Sequence, residues 1–300
     1  MKRLPGDQTT GAAAICHEMG SQILYGSSEA DFQLNSFEDS AGAKARSGQR
    51  LGALFVLDDT GVLALTATLN FGNFVANTLT LNIRPFLQAR RNLATASLVN
   101  REKGQYRLFF SDGAGLYITL VNGKLVGAMP VQFPDVVRCA CAAESPDGTE
   151  TAFFGSDDGW VYRLDAGTSF DGDAIDWDLT LVPANQRTPR QNKRYRKATF
   201  EIQGDSYAEF SVAFDLAYGS TERAQQTVAD DVEVLLQNSY WDSFTWDLFT
   251  WDGRVLAPSE VSIDGSGENI ATRITGLSAA FEPFTINSQI LTYSPRGRKR

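Results

Sequence analysis

Hydrophobic and polar positions alternate along most of the chain with a period of two, in short runs interrupted by Gly, Ser and Asp. That period places successive side chains on opposite faces of a strand, so the pattern predicts strands joined by tight turns rather than helices. One unit recurs: a short apolar-aromatic run, a turn, then an alternating run. Its copies are residues 23–34 (ILYGSSEADFQL), 54–65 (LFVLDDTGVLAL), 108–118 (LFFSDGAGLYI) and 152–164 (AFFGSDDGWVYRL). Each predicts a β-hairpin, because Asp, Gly and Ser supply the positive φ of tight hairpin turns. The copies are spaced irregularly by about 30 to 55 residues, which suits propeller blades of ~40–50 residues but leaves a meander or sandwich open.

After Asp165 the pattern changes. Residues 166–173 form a turn-rich connector, and longer alternating runs follow at 174–182, 197–203, 208–217, 232–237, 255–263, 269–275 and 285–293. Strands so spaced and separated by turn clusters predict a β-sandwich. Ser220–Ala229 opens with two potential N-caps and reads equally as a short helix or a surface loop. The expected fold class is therefore all-β, with three parts. Residues 1–168 are hairpin repeats forming a partial or small propeller, 169–295 a β-sandwich platform, and 296–300 a basic tail.

Composition supports two folded cores. The chain has 300 residues, 43% hydrophobic and 21% charged, and its 19 Phe and 9 Tyr suit sheet faces. A net charge of −9 argues against a general nucleic-acid binder. The charge is uneven, however. Arg187, Arg190, Lys193, Arg194, Arg196 and Lys197 cluster, and Arg296, Arg298, Lys299 and Arg300 end the sequence. An acidic body with basic clusters fits docking between unlike patches, although phosphate contact and a solvated loop remain alternatives for the first cluster. Cys16, Cys139 and Cys141 form no C-x-x-C pair and read as reduced, buried thiols. No signal peptide opens the sequence, and no apolar run reaches the roughly 18 residues of a membrane span. Synthesis in a cytoplasm is expected.

Candidate chemistry is sparse. His17 is the one histidine, and any Ser-His-Asp or Cys-His arrangement would have to use it. No Walker loop, dinucleotide fingerprint or hydrolase elbow is present. Asp171, Asp173, Asp176 and Asp178 could gather oxygen ligands or act as paired carboxylates, but the spacing fits no EF-hand. On a strand, Asp176 and Asp178 would share a solvent face opposite Ile175 and Trp177. No catalytic residue, metal ligand or cofactor is assigned, and the chain is read as non-enzymatic.

The remaining motif is Trp-Asp-x-Phe-Thr, stepping by five residues through 241–253 (WDSFTWDLFTWDG) and holding three of the five tryptophans. Neither a strand nor a helix keeps three residues at that step on one face. An aromatic-lined irregular loop is the expected form, either a local core or an interface patch. Together with residues 153–162 (FFGSDDGWVY), 165–172 (DAGTSFDG), 193–197 (KRYRK) and 282–288 (EPFTINS), this segment resembles tail nozzle proteins of short-tailed bacteriophages. The likeness covers roughly residues 150–295.

The resemblance implies a virion structural protein with a propeller and a β-sandwich platform, in six copies forming a ring around the DNA exit channel. Its partners would be itself, other phage tail or adaptor proteins, and passing genomic DNA without sequence-specific binding. Trp241, Phe244, Trp246, Phe249 and Trp251 would anchor the subunit interface, with Arg190, Lys193, Arg194 and Arg196 as charged contacts. The alternative from a different class is a propeller-type carbohydrate-binding module or glycosidase.

Overall fold

The structure, a computed structural model, describes residues 2–3, 12–26, 28–38, 42–67, 74–204, 207–220, 226–235, 256–278 and 284–298. The chain is all-β and divides into two compact units, residues 1–166 and 167–300. Among the described residues, helix is confined to α1 (Arg84–Arg90), which carries Pro85 in its first turn, and two 3-10 turns. None is long and apolar enough to cross a membrane.

Among the described residues, the first unit consists of four antiparallel sheets, each a meander of strands consecutive in sequence. Sheet A holds β1 (Lys2–Arg3), β2 (Ala12–Cys16), β3 (Ser21–Tyr25) and β4 (Gln33–Glu38). Sheet B holds β5 (Gln49–Leu51), β6 (Ala53–Asp58), β7 (Gly61–Ala67) and β8 (Phe74–Thr78). Sheet C holds β9 (Ala94–Asn100), β10 (Gln105–Phe110), β11 (Ala114–Val121) and β12 (Lys124–Gln132). Sheet D holds β13 (Val137–Glu144), β14 (Glu150–Ser156) and β15 (Val161–Arg163). Each hairpin read from the sequence falls in a different sheet: β3–β4, β6–β7, β10–β11 and β14–β15.

The sheets stack in chain order. Every residue of β6 is buried, which on a strand means that both sheet faces are covered. Leu54, Val56, Leu63 and Leu65 pack with Ala14 and Ile23 of sheet A. Their neighbours Phe55, Leu57, Val62 and Ala64 point the other way, into a core with Tyr106, Leu108, Phe110 and Leu116 of sheet C, which Leu87 of α1 joins. The opposite face of sheet C carries Phe109, whose ring centroid lies 5.7 Å from that of Phe133. Phe133 in turn lies 5.6 Å from Phe154 of sheet D. Gly115 makes room for that aromatic column, since a Cβ there would come within 2.9 Å of the Phe133 ring.

Among the described residues, the second unit is a two-sheet sandwich. Its strands are β16 (Ser169–Phe170), β17 (Asp173–Thr180), β18 (Gln191–Gly204), β19 (Tyr207–Leu216), β20 (Gln226–Leu235), β21 (Leu256–Gly267), β22 (Ile270–Ser278) and β23 (Phe284–Arg298). One sheet has the order β16-β17-β22-β19-β20 and the other β21-β18-β23. Phe200, Ile202 and Val261 of the smaller sheet meet Phe210, Phe214 and Ile274 of the larger in one buried core. Asp171 and Gly172, at φ 51° and 97°, make the two-residue turn between β16 and β17, the left-handed geometry that an Asp-Gly pair favours.

Three sequence expectations change. Residues 226–229, read as helix or loop, begin β20, where Gln226 pairs with Phe214 of β19. Tertiary pairing overrides a weak local helix signal, and residues 221–225 lie outside the described set. The basic stretch is mostly strand, because β18 starts at Gln191. Residues 296–298, expected in a basic tail, complete β23 and pair with β18 as far as Arg298 opposite Gln191.

Candidate functional site

The expected interface residues separate into three groups. Trp241, Phe244, Trp246, Phe249 and Trp251 lie outside the described residues. Arg190, Arg194 and Arg196 are exposed on the second unit. Arg190 sits in the turn entering β18, and Arg194 and Arg196 alternate outward along that strand while Lys193 and Tyr195 point inward. A bulge between Tyr195 and Lys197 then changes the parity, so that Ala198, Phe200 and Ile202 become the inward residues. Arg196 donates from Nε to Ser294 Oγ at 3.0 Å. Among the described residues, no carboxylate oxygen lies within 4.0 Å of Arg190, Arg194 or Arg196. Lys197, by contrast, pairs with Glu260 at 2.6 Å.

Lys193 corrects the expectation of a surface contact. It is 0% exposed, and its ammonium donates to the carbonyls of Thr188 at 2.8 Å, Gln191 at 3.1 Å and Glu268 at 2.8 Å. An ammonium has three donors, so the charge is fully used within its own chain, where it ties the loop before β18 to the β21–β22 turn. Burial pulls its pKa below the usual lysine range, with Glu268 opposing. Tyr195 beside it is buried too and donates its hydroxyl to Gln186 Oε1 at 2.8 Å; burial raises its pKa.

The first unit has a buried cation that sequence reading missed. Arg107 on β10 is 1% exposed. Its Nη2 donates to Asp165 Oδ2 at 2.6 Å and to Gln105 Oε1 at 2.7 Å, and its guanidinium lies 4.2 Å from the Tyr117 ring centroid. Its Nη1 has no acceptor among the described residues. Lys103 also reaches Asp165, at 2.9 Å. Burial alone would raise the Asp165 pKa, but the bonds from Arg107 and Lys103 outweigh it and hold the carboxyl below the usual range. Burial pushes the Tyr117 hydroxyl up to about 12, against the charge of Arg107. The signal was a single arginine inside the apolar run Tyr106–Phe110, since a charge there must be paired.

The first strands of sheets B, C and D line an open groove of about 750 Å³. Its polar rim includes Arg50, Arg101, Glu102, Glu144 and Glu150. Glu150 already accepts the backbone N–H groups of Arg101 and Glu102. In the second unit an apolar groove of about 510 Å³ is lined by Ile175, Trp177, Leu179, Leu277, Phe284 and Ile286. The Trp177 indole fits over Gly276, where a Cβ would approach within 2.6 Å.

His17 is exposed in the turn between β2 and β3, away from the groove. Asp176 and Asp178 point to solvent from β17, opposite Ile175 and Trp177, and Asp178 pairs with Arg273 at 2.8 Å. Among the described residues, no group of three or more His, Cys, Asp or Glu gathers as a metal site would require. Cys139 and Cys141 are free and exposed rather than buried. Both lie on the outer face of sheet D, opposite Gly155 and Phe153.

No protein-family model and no curated protein sequence matches the chain. Among solved structures, an exo-β-1,3-galactanase from Phanerochaete chrysosporium with β-1,3-galactotriose is 8% identical, covering 95% of this chain and 78% of that one, at a TM-score of 0.31. A chain from the structures of manganese lipoxygenase of Gaeumannomyces graminis and partial zonadhesin of Komagataella pastoris is 10% identical, covering 96% and 93%, at a TM-score of 0.17. Superpositions this poor carry no argument about fold or function.

Proposed function

We propose that the chain is a structural subunit of a bacteriophage virion, a tail nozzle or tail tube-end component whose copies form a ring around the DNA exit channel. Two things support the reading. One is the order of motifs between residues 150 and 295. The other is an architecture of stacked hairpin sheets followed by a two-sheet sandwich. The side-by-side first strands β5, β9 and β13 are what a propeller places around its axis. The carrying observation is the exposed set Arg190, Arg194 and Arg196, cationic groups without a carboxylate partner among the described residues on a chain of net charge −9. Such a patch is complementary to an acidic neighbour of the same kind.

The mechanism is mechanical and electrostatic. Copies pack through unlike patches, and an acidic lumen neutralises few phosphates, so the duplex slides without sequence-specific contact. Other tail or adaptor proteins bound the ring, and the site of action is the assembled particle, reached after synthesis in the host cytoplasm. The test is native mass spectrometry of the full chain together with images of purified particles. A defined ring that is lost in the triple variant Arg190→Glu, Arg194→Glu, Arg196→Glu supports the reading. A monodisperse monomer at high micromolar concentration, with the chain absent from particles, overturns it.

A further inference from the structure

The stack in the first unit ends on two apolar sheet faces. On sheet D the outer face carries Cys139, Gly155 and Val161 in one row and Cys141, Phe153 and Arg163 in the next. Val161 is 73% exposed, and Trp160 in the adjoining turn is 70% exposed. On sheet A the outer face carries Ala13, Leu24 and Leu34 in one row and Ile15, Gln22 and Ser36 in the next, with Leu34 53% exposed. These exposures show that the two ends are not packed on each other within one chain.

Three interfaces inside the unit already cover such faces in one way, by laying another small sheet on them. We propose that the outer face of sheet D receives the outer face of sheet A from a second copy of this chain. The second copy returns the same contact, and the two stacks close into one ring of sheets. The two ends differ, so the contact is head to tail and must either close or run on. Radial arrays of small antiparallel sheets close at about four to eight; with four sheets in each copy, two copies make eight, and three would exceed the range. The surfaces also correspond in kind. Each has one row of small or aliphatic residues and one mixed row, so Arg163 meets the polar Gln22 and Ser36 rather than hydrocarbon. The proposal deepens the self-assembly reading and rests on its premise that copies meet, but not on the virion. A six-copy ring would contain three such pairs.

Cys139 and Cys141 are built-in reporters on the face in question, and Cys16, packed toward sheet B with its thiol pKa raised by burial, is the internal reference. Maleimide labelling of the full chain is followed across a dilution series alongside native mass. When the mass doubles, labelling of Cys139 and Cys141 is expected to slow by about ten-fold or more while Cys16 does not change. Val161→Asp, at an exposed position, is expected to restore fast labelling and monomer mass with the thermal melt of the dilute wild-type monomer. In Leu34→Cys, oxidation is expected to cross-link two copies through Cys139 or Cys141 and to stop at the dimer. Doubling of mass with unchanged labelling rates, or no doubling at high concentration, overturns the proposal. Particles that retain the chain while these tests fail leave the virion reading standing alone. A sheet-paired dimer absent from particles leaves the pairing and removes the virion.

Discussion

Sheet B of the first unit is covered on both faces, whereas each sheet of the second unit is covered on one. Adjacent residues Leu54 and Phe55 therefore enter two different cores, while Phe200 and Ile202 enter a core and Glu201 between them faces outward. A sandwich has one interior that all its strands share. A stack has several, each built by only two neighbouring sheets. Stability in the first unit is thus distributed over successive interfaces, and its end sheets are half-covered by construction.

The sharpest way to break that comparison is to empty one interface of the stack. Phe110 is 0% exposed between sheets B and C and meets Phe86 edge-on at 6.2 Å. Phe110→Ala should cost about 3–5 kcal/mol. Hydrogen exchange read peptide by peptide should show the loss in β6, β7, β10 and β11, with the second unit unaffected. Equal loosening of β18 and β19 would mean that the two cores are not separate energetic units.

Among the described residues each unit buries one cation, and the two are satisfied differently. Arg107 relies on a carboxylate, a side-chain amide and an aromatic ring, whereas the ammonium of Lys193 donates to three backbone carbonyls, with the charge of Glu268 as its support. Removing the carboxylate with Asp165→Asn strands a buried guanidinium. The cost should fall at the lower end of about 3–5 kcal/mol, because a quarter of the Asp165 side chain is solvent-exposed. The pH dependence has a definite sign. The folded-state pKa of Asp165 is depressed, so its contribution is fully present above the unfolded value of about 3.9 and is lost as pH falls through the lower folded value. Wild-type denaturant midpoints should fall over that acid window, and Asp165→Asn should flatten this part of the profile. An unaltered acid limb in the variant would remove Asp165 from the explanation.

What the sequence made legible follows the same division. Four hairpins were readable because each turn has its own Asp, Gly or Ser, but the unbroken apolar run around Phe55 was read only as a hairpin arm and not as a strand with two covered faces. Helix α1 was not readable, since seven residues with only Leu87 buried leave no period to detect. Around residues 190–197 charge alone suggested a uniform surface patch. The bulge after Tyr195, which decides which basic side chains turn inward, has no signature in residue type. The exposure of Cys139 and Cys141 was equally hidden, because a terminal sheet and an internal one share the same strand pattern.

Lys193 tests the gentler half of the comparison. Lys193→Met keeps much of the volume but leaves the carbonyls of Thr188, Gln191 and Glu268 without their shared donor. The expected loss is about 1–3 kcal/mol, smaller than for Asp165→Asn, because neutral carbonyls lose one donor rather than a buried charge losing its partner, and the Thr188 carbonyl keeps the N–H of Gln191. Urea unfolding would give the magnitude. Hydrogen exchange should place the change in residues 185–191 and at the β21–β22 turn. The alkaline side supplies an independent sign. With a folded pKa below the ordinary lysine value near ~10.4, the unfolded chain binds more protons between the two values, so this group's contribution rises with pH there. The gap in stability between wild type and Lys193→Met should widen over that window. A gap that stays constant would mean that the three carbonyls hold the ammonium as firmly as water does, and that burial costs this cation nothing.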